Sequence, residues 1–172
     1  LHGYTQNEAY KTAVNIGDEN YKIAEDDFVH GLQDLISAGF VDCKFWVTPY
    51  GVSQKCLQQL ARKWGMECLI TTAKKEFNRT DGKFSRYEIQ RSGLNAADTG
   101  ALSQAELIEL ADKCAMENGW LLVNTHITDG WDKDFTRINE FISHCKEKGF
   151  EFMTLGDAWR VRKPIYDWYD TF

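Results

Sequence analysis

Apolar residues return along the chain with a helical period, and each such stretch closes on a glycine. Residues 24–38 carry Phe28, Val29, Leu32, Leu35 and Ile36 at helical spacing, and Gly39 supplies the stop. Residues 40–47 follow as a β-rich strand. Ser53 is placed to cap a second helix bearing Cys56, Leu57, Leu60 and Ala61, stopped by Gly65 before a strand at 67–72. The third helix opens on Ser103-Gln104-Ala105-Glu106, a capping box that satisfies two orphan backbone donors reciprocally. Its stripe is Leu107, Leu110, Ala111 and Cys114, ending near Gly119, with a strand at 120–125. Asp134 is placed to cap a fourth helix with Phe135, Ile138, Ile142 and Cys145 on one face, ended by Gly149 and followed by a strand at 150–154. Helix then strand, four times over, implies parallel strands joined by crossovers, and apolar runs imply strands covered on both faces. Residues 78–100 are irregular, with one strand at 86–91. The fold class is α/β, an open sheet or a barrel; periodicity does not separate the two.

Composition narrows the functions. Lys and Arg total 20 against 26 Asp and Glu, a formal charge of −6, which speaks against a nucleic-acid partner held through phosphates. No run approaches the roughly 20 apolar residues of a transmembrane segment. The five cysteines are odd in number and lack CxxC pairing, and Cys56, Cys114 and Cys145 fall on apolar helix faces, so buried reduced thiols are expected. The chain opens Leu1-His2-Gly3 with neither signal peptide nor initiator Met, as expected of a processed chain or a piece of a longer one.

Candidate chemistry collects where parallel strands end, the usual ligand side of such folds. Three segments qualify: His2-Gly3-Tyr4-Thr5-Gln6, Trp46-Val47-Thr48-Pro49-Tyr50-Gly51 and Leu122-Val123-Asn124-Thr125-His126. His126 follows an apolar strand and precedes a polar loop, a placement that suits a general acid, a metal ligand or a hydrogen-bonded histidine without chemistry. His2 and Gln6 are four apart, on one helical turn; an imidazole binds zinc well and a Gln amide poorly. Aromatic residues are 13% of the chain; Trp46 and Trp131 flank the site as candidate stacking platforms for sugar rings, with plain packing the alternative for Trp131, whereas Trp64 and Trp120 fit the core. Residues 160–172 form an aromatic tail that should dock on the domain or a partner.

In this order the segments resemble the NodB-type polysaccharide deacetylases, the family-four carbohydrate esterases. Leu1-His2-Gly3-Tyr4-Thr5-Gln6 is similar to the family's second motif, Ser-His-Gly-Tyr-Thr-His. Val47-Thr48-Pro49-Tyr50-Gly51 echoes the third, Arg-x-Pro-Tyr-Gly, and Asn124-Thr125-His126 the fifth, Leu-x-His. Residues 148–155 are similar to the family's last helix-to-strand junction, so the likeness spans 1–159, with 160–172 as the tail. The resemblance implies a distorted parallel β/α barrel of the NodB type whose N-terminal strands are missing from this chain. An upstream segment or a partner chain would cover the bare edge.

It also implies a divalent metal, usually zinc, held at His2 and at the Gln6 position, with His126 protonating a leaving amine. Pro49, Tyr50, Gly51 and Trp131 would line the substrate site, the Tyr50 backbone N–H holding an oxyanion. The implied partner is an N-acetylated glycan, peptidoglycan or chitin-like, in an extracellular or cell-envelope setting. Departures are plain: the first motif, with both aspartates, is absent, Gln6 stands for the second metal His, and Val47 stands for the motif's Arg. No clear fourth motif is present near residues 71–77. Two readings therefore stand, a metal-dependent deacetylase and a catalytically degenerate glycan-binding or structural module.

Overall fold

The computed structural model describes residues 1–5, 7–72, 75–79, 85–94, 102–125 and 135–169, the side chains of 165–169 excepted. The chain is mixed α/β and divides into two compact units, Leu1–Thr72 with Arg86–Ile89, and Ala73–Ser85 with Gln90–Phe172. The first holds α1 (Ala9–Thr12), α2 (Glu19–Ser37), β1 (Phe45–Val47), a short turn at Pro49–Gly51, α3 (Lys55–Lys63) and β2 (Cys68–Thr72). β3 (Ile89–Gly93) leads into the second, which holds α4 (Gln104–Met116), β4 (Leu122–Asn124), α5 (Thr136–Glu147) and α6 (Leu155–Tyr169).

Parallel pairing is observed in both places. β1 lies beside β2 with Trp46 opposite Leu69, and α3 connects them. β3 lies beside β4 with Ser92 opposite Val123, and α4 falls between them in sequence. Each arrangement is a β-α-β unit, the connection that parallel strands require. The first core gathers Phe28, Trp46, Leu57, Leu60 and Leu69; the second gathers Phe77, Leu107, Leu110, Cys114 and Phe141.

The capping box is present: Ser103 Oγ accepts from Glu106 N at 3.2 Å and Glu106 Oε2 from Ser103 N at 2.7 Å. The stripe Leu107, Leu110, Ala111 and Cys114 is buried as expected, and so are Cys56, Leu57, Leu60 and Ala61. All five cysteines are free, only Cys43 lying outside the buried set. Burial pushes the thiols of Cys68 and Cys114 up to about 12, which keeps them protonated and inert. Among the described residues no helix is long and apolar enough to cross a membrane.

Several expectations need correction. The strand expected at 40–47 is confined to Phe45–Val47, because residues 38–40 finish α2 instead. Gly39 takes φ +94° and Phe40 N returns to Leu35 O at 2.9 Å, leaving Phe40 and Val41 exposed. The strand expected at 150–154 is absent for the same reason: Phe150 N closes α5 onto Cys145 O at 3.0 Å. Thr154 then starts α6, its Oγ1 accepting from Asp157 N at 3.2 Å, so Arg160 lies inside a helix. α2 begins at Glu19, ahead of 24, since Asp18 caps it through Tyr21 N at 2.7 Å. Ser53 does not cap α3; Gln54 precedes it without a side-chain bond. On α5 the buried residues are Phe141 and Cys145, with Phe135 exposed; Asp134 lies outside the described residues. Trp64 is exposed at the end of α3 and bonds Glu25, contrary to its core assignment.

Candidate functional site

β1 ends at Val47, and residues 1–5 run beside it. Leu1 N donates to Phe45 O at 3.0 Å, and Val47 N donates to Leu1 O at 2.8 Å. His2 continues this pairing through its side chain, with Nδ1 2.7 Å from Val47 O. A carbonyl oxygen only accepts, so Nδ1 must carry a proton, and in the neutral tautomer this selects the lone pair falls on Nε2. A backbone carbonyl on one ring nitrogen is the arrangement that fixes a metal-binding imidazole.

Beneath this segment α2 presents Asp27 and Gly31, one helical turn apart and both buried. Asp27 Oδ1 accepts from Thr5 N at 2.8 Å and Thr5 Oγ1 at 2.5 Å. Its Oδ2 accepts from Tyr4 N and the Tyr10 hydroxyl, both at 3.0 Å. Burial first, then the Asp27 charge and hydrogen bond, holds the Tyr10 phenol well above its ordinary range. At Gly31 an added Cβ would lie 3.2 Å from Tyr4 N and 3.3 Å from the Gly3 carbonyl carbon, so glycine lets the two backbones pass.

The Pro49–Gly51 turn completes the group. Gly51 N donates to Thr48 O at 3.1 Å, Thr48 Oγ1 donates to Val52 O at 2.7 Å, and the Thr71 hydroxyl donates to Gly51 O. Tyr50 sits in the left-handed region, φ 59° and ψ 5°, the third position of a Pro-led turn where glycine is usual. The residue is 43% exposed. The Lys11 ammonium lies 3.9 Å from the ring centre and bonds Glu8 at 3.0 Å. A hydrogen bond with Glu8, more than burial, raises the Tyr50 phenol above its usual value. Pro49 Cγ lies 3.1 Å from where a Cβ on Gly3 would stand, so the two motifs touch.

The structure thus brings His2, Pro49, Tyr50 and Gly51 together at the end of β1. Gln6, His126 and Trp131 lie outside the described residues. Trp46 is not a platform for sugar: it is 0% exposed, its ring centre 4.5 Å from Phe28 and 6.0 Å from Tyr10. Among the described residues no three His, Cys, Asp or Glu side chains converge as a metal group would. His2 fits the role of one ligand through Nε2. Asp27 does not, because a carboxylate's roughly four lone-pair positions are all taken by its four donors. Asp27, Tyr10 and Gly31 escaped the sequence reading. The available signal was an acid at 27 and a glycine at 31 in phase with Ala24, Phe28 and Leu32. No family model, curated protein or solved structure matches the chain.

Proposed function

We propose that this chain is part of a NodB-type β/α barrel whose chemistry is metal-dependent deacetylation of N-acetylated polysaccharide. The observation that supports it best is the tautomer-fixed His2 imidazole beside the Pro49–Gly51 turn, at the carboxyl end of a parallel strand. His2 and the Gln6 position would hold the zinc, which when bound supplies an acidified water and a polarised carbonyl. Pro49, Tyr50 and Gly51 would seat the glycan with Trp131, and His126 would hand a proton to the departing amine.

A second reading, a glycan-binding module without turnover, is favoured by Gln6 at a metal-ligand position and by Asp27 having no lone pair to spare. Zinc titration and acetate release from N-acetylglucosamine oligomers, with and without chelator, decide between them. Zinc uptake lost in His2→Ala, with acetate released, supports the enzyme. His126→Ala should then lower turnover by about 10²–10⁴-fold. Oligomer binding without acetate supports the module, and neither binding nor release overturns both.

A further inference from the structure

We propose that Asp27 is a positioning residue for His2: a buried carboxylate that grips the turn at Tyr4 and Thr5 and thereby aims the Nε2 lone pair. The part that concerns metal rests on the reading of His2 as a ligand, and the test keeps the two apart.

Asp27 is 6% exposed, and all its described partners are neutral donors. A buried charge without a cation is costly, and hydrogen bonds to a charged acceptor are the strong ones. Two of its four donors are backbone N–H groups two and three residues beyond His2. On the other side, β1 holds Leu1 through Val47 N and holds the His2 ring through Val47 O. His2 is therefore pinned from both ends, by a strand edge and by a carboxylate, while Gly31 lets the segment lie flat on α2. Packing alone does not call for a charge here: an apolar residue of similar size would fill the space but take the acceptor from all four donors, so the carboxylate answers to the turn it grips.

The test is His2 ring ¹⁵N spectroscopy at about pH 8, where ordinary imidazoles are neutral, together with zinc titration of the whole chain. The wild type should show one tautomer, with the proton on Nδ1. In Asp27→Asn an amide N–H₂ must face two of the donors, so His2 should become a tautomer mixture and zinc affinity should fall by about 10–100-fold. Leu60→Ala, a core change of comparable instability, should leave the His2 signals alone. A folded Asp27→Asn chain with His2 unchanged overturns the proposal. A tautomer lost in Asp27→Asn while the wild type takes up no zinc upholds the positioning and removes the metal reading. If Asp27→Asn does not fold, amide exchange in the wild type still decides. Tyr4 N and Thr5 N both donate to Asp27, so slow exchange there reports that grip, and free-peptide rates overturn the proposal.

Discussion

The two β-α-β units use their buried polar side chains in opposite ways. In the second, Asn78 stands in for a stretch of backbone: its Nδ2 donates to Gln90 O at 2.9 Å and its Oδ1 accepts from Gln90 N at 2.8 Å. Its own main chain pairs with Trp120 in an antiparallel bridge. Ser92 likewise donates to Glu76 O at 3.0 Å. These groups are neutral and complete a hydrogen-bond ladder. In the first unit the buried acid Asp27 satisfies a turn beside His2, and Thr48 and Thr71 brace a left-handed tyrosine. Neutral amides repair architecture, whereas a buried charge beside a strained turn marks a place where shape is held for another purpose.

The contrast breaks most sharply at Asp27. Asp27→Ala removes the acceptor of four hydrogen bonds, the buried one from the Tyr10 hydroxyl among them, and should lower stability by about 4 kcal/mol, read from urea midpoints, with increased amide exchange concentrated in α2 and residues 1–5. A loss below about 1 kcal/mol would put Asp27 on a level with surface residues. Next comes Gly51→Ala. Its φ of +67° and an added Cβ 2.9 Å from Thr72 N combine backbone strain with overpacking, about 3 kcal/mol together. Gly39→Ala, with nothing within 4 Å of the added carbon, should lose only about 1 kcal/mol. Equal losses at both glycines would mean that the Thr72 contact is soft. Asn78→Ala should cost about 2 kcal/mol in the second unit and leave the His2 ring signals unchanged.

The smallest effect lies at the mouth of α4. The Lys75 hydrogen bond, then those of Ser103, hold the Glu106 carboxyl down from 4.5 to about 2. A depressed carboxyl contributes stability in full above its unfolded pKa and loses it as pH falls toward the folded one. Helicity should therefore weaken between about pH 4.5 and pH 2 in the wild type, and less so in Glu106→Gln. At neutral pH that contribution is present in full, so Glu106→Gln should lower the unfolding midpoint, though only slightly for a pair this close to solvent.

What could be read from the sequence follows from how local each determinant is. The capping box and stripe of α4, and the buried set Cys56, Leu57, Leu60 and Ala61 of α3, are decided within a few turns of chain and are present. Residues 40–44 and 150–154 have strand-like composition, but helix C-caps claimed their first residues. Trp46 lies where an aromatic platform would, yet the face it takes was settled by Phe28, 18 positions earlier in the chain. The Pro-Tyr-Gly segment was legible as a break at the end of β1 because proline and glycine punctuate the backbone directly. Asp27 was not, since an acid in a helix reads as solvent-facing until the segment it clasps is known.

Tyr50 spends its days in a conformation that glycine would occupy freely. An L-residue there gives up about 1–2 kcal/mol, and the ring's neighbours return little, because the Lys11 and Glu8 side chains are 44% and 73% exposed. Tyr50→Gly should therefore make the chain harder to melt while erasing whatever the aromatic surface meets. A variant that is sturdier yet poorer in glycan uptake would show that thermal robustness and molecular recognition pull against each other at one side chain.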